Sequence, residues 1–184
     1  IFPEAKFIFL IRDGIDVTYS IMKRWESKFS MSYSLKKMKY VPLLDIPYYG
    51  IKYLNNRWYK KLNNNRLKFW GPKFFKEEKL KDFSLEEISA MQWVACVENA
   101  SKSFNKIDDK RVFKVRYEEL VMNPLKITNE IVRFTGLILE DNISFPLIRK
   151  SSIGKGNNGL RDDQLKIILP IIKGTMVSNN YLCP

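Results

Sequence analysis

Ala5-Lys6-Phe7-Ile8-Phe9-Leu10-Ile11-Arg12-Asp13-Gly14 is the stretch on which the fold turns. Residues 7–11 form an unbroken apolar run that is too short for a helix. Such a run suits a parallel strand buried on both faces. Arg12-Asp13-Gly14 ends it, and Asp13 is placed to cap a following helix with Val17, Ile21 and Met22 facing inward. A strand running directly into a helix is the opening unit of an α/β sheet.

Outward from that unit, the remaining elements follow from local signals. Ser84 with Glu87 three residues on is a capping box. It opens a helix through Leu85, Ile88, Met91 and Ala95 that runs to about Phe104. Arg111-Val112-Phe113-Lys114-Val115-Arg116-Tyr117 reads as a second strand. Asn123-Pro124 supplies a cap and a first-turn proline for another helix, and Gly136 is its stop. Residues 145–160 are polar, basic and glycine-rich, which predicts a loop. Asp162 and Asp163 begin a last helix, interrupted at Pro170.

The chain has 184 residues, 32 Lys and Arg against 20 Asp and Glu, and no histidine. That length allows one core and one domain, 1–184. Without histidine, this chain alone builds no Ser-His-Asp or Cys-His site, no His-ligated zinc and no imidazole base. Cys96 and Cys183 make at most one bridge, and Cys96 reads as a buried small hydrophobe within a helix. No apolar run approaches the roughly 18 residues that a membrane helix needs. The chain opens with Ile1 and almost at once enters a central strand, so it reads as a fragment lacking its N-terminal part.

The net charge of +12 is not spread evenly. Residues 1–22 and 82–184 are nearly balanced, whereas residues 23–81 hold sixteen bases and four acids. The same segment carries 13 of the 25 aromatic residues. Pro42, Pro47, Gly50 and Trp70-Gly71-Pro72 divide it into short helices and loops. It reads as a basic, aromatic insertion in an otherwise neutral α/β core.

Two constellations carry chemistry. Arg12 at the strand tip and Ser20 eight residues later lie near the carboxyl edge of the sheet, where open α/β folds bind ligands. A guanidinium offers phosphate a planar fork of donors, and serine adds one hydrogen bond. The competing reading pairs Arg12 with Asp13 or Asp16 and leaves Ser20 in solvent. The second constellation is the loop Arg149-Lys150-Ser151-Ser152-Ile153-Gly154-Lys155-Gly156-Asn157-Asn158, whose alternative is a solvated basic turn. Gly154, Gly156 and Gly159 also spell G-x-G-x-x-G. That dinucleotide reading is rejected, because no strand precedes it and too little chain follows for a βαβ unit.

Residues 7–20, Phe-Ile-Phe-Leu-Ile-Arg-Asp-Gly-Ile-Asp-Val-Thr-Tyr-Ser, resemble the 3′-phosphate-binding strand and helix of sulfotransferases that use 3′-phosphoadenylyl sulfate (PAPS). Val115-Arg116-Tyr117-Glu118-Glu119-Leu120-Val121, Asn123-Pro124 and Phe134-Thr135-Gly136-Leu137 resemble the family's strand, proline-started helix and glycine stop. The Asp163-Gln164 helix that ends near Tyr181 is similar to its C-terminal helix. Trp70-Gly71-Pro72 and Met91-Gln92-Trp93 resemble the bacterial and tyrosylprotein-sulfotransferase-like branch. The resemblance implies a P-loop-NTPase-like fold, a three-layer parallel sheet flanked by helices, incomplete at its N-terminus.

It also implies roles. Arg12 and Ser20 would hold the 3′-phosphate, Arg24 would be a further anion contact, and Tyr117 would meet the adenine end. Arg149, Lys150 and Gly154 belong to a loop similar to the family's Arg-Lys-Gly-x-x-Gly-x-Trp-x-Asn segment, which closes over the 3′-phosphate. Ser151 stands here for the first glycine and Gly156 for the tryptophan. Alignment to the tyrosylprotein branch instead makes Ser152 and Lys155 the contacts. The family's 5′-phosphosulfate loop and its catalytic base, a histidine or glutamate, would lie upstream of residue 1. No catalytic residue is therefore assigned, no metal is implied, and the chain by itself is expected to be inactive.

The implied reaction is sulfuryl transfer from PAPS to a hydroxyl or phenol, with the basic segment favouring an acidic acceptor or an anionic surface. Two other readings fit parts of the chain. A basic, aromatic segment can bind nucleic acid, although no signature of a nucleic-acid module accompanies it. A related P-loop kinase would share the sheet but not the chemistry. Acceptor, compartment and oligomeric state are not legible in these residues.

Overall fold

The computed structural model describes residues 3–26, 42–62, 71–72, 82–138 and 148–181. Strand β1 (Phe7–Ile11) leads into helix α1 (Gly14–Glu26), and helix α2 (Ile46–Leu62) lies within the basic segment. Helix α3 (Leu85–Phe104) precedes strand β2 (Val112–Arg116), which passes directly into α4 (Tyr117–Met122) and α5 (Pro124–Thr135). A short helix α6 (Lys155–Gly159) and the long α7 (Asp162–Ser178) complete the chain. Among the described residues the sheet has two strands, β1 and β2, paired parallel with Phe7 opposite Val112 and Ile11 opposite Arg116. The molecule is thus mixed α/β, mostly helical, with a small parallel sheet.

The local signals act as their chemistry requires. Ser84 Oγ accepts the Glu87 N–H at 3.2 Å, and Glu87 Oε2 accepts the Ser84 N–H at 2.7 Å, which closes the capping box on α3. Gly136 takes φ +80° and ends α5, its N–H donating to Val132 O at 3.0 Å. Helices α1, α3 and α7 pack on one another around Ile15, Met22, Ala90, Trp93, Val97, Ile168, Ile172 and Met176. Gly14 lets α1 close on α3, since a Cβ there would come within 2.9 Å of the Trp93 ring. Trp25 is wholly buried, and its Nε1–H donates to Gln92 Oε1 at 3.1 Å. Gln92 Nε2 donates in turn to the Pro72 carbonyl at 3.4 Å, which fastens the Gly71-Pro72 turn to the core.

Several expectations need correction. β1 is not buried on both faces: Phe7 and Phe9 pack on Phe104, but Ile8 and Leu10 are 45% and 48% exposed. On that second face α5 covers β2, where Phe113 meets Phe134 and Val115 is buried, and leaves the β1 side uncovered. On α1 the expected Met22 is buried and half-buried Val17 and Ile21 pack against the core, but Ile15, Thr18 and Trp25 are inward as well. Tyr117 opens α4 and does not end β2. The Asn123 side chain makes no cap bond. α7 runs unbroken through Pro170, because that residue is exposed and fully buried Ile168 and Ile172 anchor the helix on either side. The 145–160 stretch is not all loop, for it holds a 3₁₀ turn (Lys150–Ser152) and α6. Cys96 is exposed on α3, since the nearby Trp93 and Val97 take the inward side. Cys183, Trp70 and residues 27–41, 63–70, 73–81 and 139–147 lie outside the described residues. No helix among the described residues is long and apolar enough to cross a membrane.

Candidate functional site

Parallel pairing builds the site. Ile11 is the register partner of Arg116, so the residues that follow, Arg12 and Tyr117, emerge side by side at the carboxyl edge of the sheet. The Arg12 guanidinium lies 4.6 Å from the centroid of the Tyr117 ring. At that separation a cation and an aromatic face attract. Arg12 Nη2 donates to Asp16 Oδ2 at 3.2 Å and to the Ser152 carbonyl oxygen. The Tyr117 hydroxyl is 2.8 Å from Ser152 Oγ. Arg12 Nε is buried with no acceptor among the described residues.

Asp16 holds the basic loop in place. Its carboxylate is 2% exposed, and it accepts the Gly154 N–H at 3.0 Å and the Gly156 N–H at 2.7 Å besides its pair with Arg12. Gly154 stands at φ +74°, a conformation glycine adopts without steric cost. Gly156 permits close approach, because a Cβ there would meet the Ile15 carbonyl group at 2.6 Å. Gly159 lies under the Tyr19 ring. Gly156 and Gly159 therefore serve packing of the loop on α1, and Gly154 supplies its left-handed turn.

The structure brings together four of the residues singled out in the sequence: Arg12, Tyr117, Ser152 and Gly154. The other five are exposed. Ser20 and Arg24 are exposed on α1, and among the described residues no hydrogen bond joins Ser20 to Arg12. Arg149, Lys150 and Lys155 are exposed on the loop. The competing pairing of Arg12 with Asp16 is the one that forms. Sequence reasoning missed Asp16 as the loop's anchor, although an aspartate four residues after Arg12 in a helix's first turn is a readable signal. It also missed Glu118 and Tyr181. Glu118 Oε1 accepts the Asp13 N–H at 3.0 Å, and the Tyr181 hydroxyl reaches both Glu118 and the Ile11 carbonyl.

Burial raises the Asp13 carboxyl above its ordinary value, and the Asp16 and Glu118 charges add to the rise. The hydrogen bond from the Asp16 N–H to Asp13 Oδ1, 2.9 Å long, opposes it. The edge thus combines the Arg12 guanidinium, whose Nε like that of Arg116 is buried without an acceptor among the described residues, an aromatic face, and a tethered basic loop. Asp16 and Glu118 are both occupied as hydrogen-bond acceptors. Chemically, the arrangement suits holding an anion beside a flat ring.

A sulfotransferase family model matches residues 66–141. That stretch takes in α3, β2, Tyr117 and the Gly136 stop. It does not reach Arg12, Ser20, Arg24 or the loop at 149–155. No curated protein and no solved structure gave a match. The match supports a sulfotransferase, and with it sulfuryl transfer in general, without separating the bacterial from the tyrosylprotein branch.

Proposed function

We propose that this chain is part of a PAPS-dependent sulfotransferase with the family's P-loop-like, three-layer fold, and that it holds the 3′-phosphate and adenosine half of the cofactor. One observation carries the reading. At the tip of a parallel strand, Arg12 lies on the Tyr117 ring with its Nε buried and unpaired, beneath a basic loop from 140 residues away. A buried donor without an acceptor is costly unless a ligand or water supplies one. With Nη2 committed to Asp16 and Ser152, Nε and Nη1 are the donors that remain for a phosphate.

PAPS, when bound, supplies the activated sulfuryl group and a phosphoadenosine leaving group. Arg12 and Ser20 bind the 3′-phosphate, with Arg24 and the exposed Arg149, Lys150 and Lys155 adding positive charge around it. Tyr117 gives the adenine end a flat surface, and Ser152 and Gly154 fix the loop. A hydroxyl or phenol acceptor fits sulfuryl transfer, and the basic segment 23–81 favours an acidic one. Calorimetry of the chain with 3′,5′-phosphoadenosine tests the assignment. Each charge-assisted hydrogen bond contributes about 1.5–3 kcal/mol, so Arg12→Ala with Ser20→Ala lowers affinity by about 100-fold or more. Unchanged affinity in the double variant overturns it.

A further inference from the structure

Two side chains distant in sequence grip the peptide units on either side of Arg12. The Tyr181 hydroxyl lies 2.9 Å from the Ile11 carbonyl oxygen and 2.7 Å from Glu118 Oε2. Glu118 Oε1 accepts the Asp13 N–H at 3.0 Å. Ile11 precedes Arg12 and Asp13 follows it, so the strand tip is held before and after the guanidinium-bearing residue. The phenol has one proton for two acceptors and shares it between the Ile11 carbonyl and the Glu118 carboxylate in a three-centre bond. Glu118 is therefore the hub: one oxygen restrains Asp13, and the other keeps Tyr181 over Ile11.

Tyr181 is itself held firmly. Asn180 adopts φ +60°, the one left-handed non-glycine residue among those described, and this turns the chain back from the end of α7. With the Asn180 N–H on Val177 O at 3.0 Å, this is the left-handed stop that commonly ends a helix, and asparagine tolerates it. The Tyr181 N–H donates to Met176 O at 3.0 Å, and the Arg116 guanidinium lies 4.4 Å from the Tyr181 ring centroid. Burial raises the phenol pKa far above its usual value, and the Glu118 carboxylate raises it further, so the hydroxyl remains a donor.

We infer that Glu118 and Tyr181 are positioning residues for Arg12, setting the direction in which its guanidinium meets the 3′-phosphate. The inference rests on reading Arg12 as the phosphate contact. A purely architectural clamp would tie the end of α7 to the sheet without affecting how the phosphate is read. The two roles separate on ligands that differ only in that phosphate.

The test measures affinity of the chain for 3′,5′-phosphoadenosine and for 5′-AMP in the parent, Tyr181→Phe, Glu118→Ala and Arg12→Ala. Tyr181→Phe keeps the ring and its contact with Arg116, so it serves if Glu118→Ala does not fold. The expected result is a loss of about five- to tenfold in phosphoadenosine affinity, the scale of one displaced hydrogen bond, with 5′-AMP affinity unchanged. If Arg12→Ala erases the preference for phosphoadenosine while Tyr181→Phe leaves it intact, or weakens both ligands equally, the positioning role is overturned and the phosphate reading stands. A parent that does not distinguish the two ligands overturns both.

Discussion

Asp13 shows how one residue at the strand tip answers to conflicting demands. Its carboxylate caps α1 by accepting the Asp16 N–H, yet it sits half-buried between the charges of Asp16 and Glu118. A carboxyl whose pKa is raised on folding favours the folded state when protonated. That stability is present at low pH and is lost as pH rises through the folded pKa. Asparagine caps helices as well as aspartate does and carries no charge. Asp13→Asn is therefore expected to raise the melting temperature at pH 7, with the gap closing as pH falls toward the ordinary carboxylate range near ~4. A melting temperature unchanged or lowered at pH 7 contradicts this account of Asp13. The sequence showed Asp13 as a cap, because capping depends on neighbours one turn away. It did not show the burial, because Glu118 is 105 residues distant.

Among elements, the loop at 149–160 depends most on a single contact. Helix α6 has five residues, and helices so short do not persist on their own. What holds it is Asp16, on the first turn of α1, whose carboxylate takes the amide of Gly156 within α6 and that of Gly154 just before it. Asp16→Asn replaces one acceptor oxygen with a donor that faces a backbone N–H. Each charged hydrogen bond contributes about 1.5–3 kcal/mol, so loss of one speeds local opening by about tenfold or more. Hydrogen exchange at Gly154 and Gly156 is expected to accelerate accordingly while amides in the middle of α3 stay protected. Equal acceleration throughout would mean that Asp16 supports the whole fold and not this loop. The helix ends were legible where capping is local, as at Ser84 and Gly136. Pro170 and the inner structure of 145–160 were not, because what keeps them helical is packing on α1 and the core.

At the scale of the molecule, the parallel pairing of β1 and β2 sets the geometry of the candidate site. Parallel register puts Arg12 beside Tyr117, and packing of α6 on α1 brings the basic loop over both. The α/β class and the order of elements were readable from short apolar runs and caps. The grouping of Arg12, Tyr117, Ser152 and Gly154 was legible only through resemblance, since the contacts span up to 140 residues. The net charge follows a different logic. It resides in residues 23–81, apart from nearly every proposed cofactor contact, with Arg24 as the exception. The proposed cofactor contacts and the excess charge thus lie largely in different parts of the chain. Arg12 is proposed to read a 3′-phosphate. Titration calorimetry of 3′,5′-phosphoadenosine against 5′-AMP, in the parent and in Arg12→Ala, isolates that contact. The expected result is a parent preference for phosphoadenosine of about tenfold or more that disappears in the variant. Equal binding of the two nucleotides by the parent, or a preference that survives in Arg12→Ala, would contradict it.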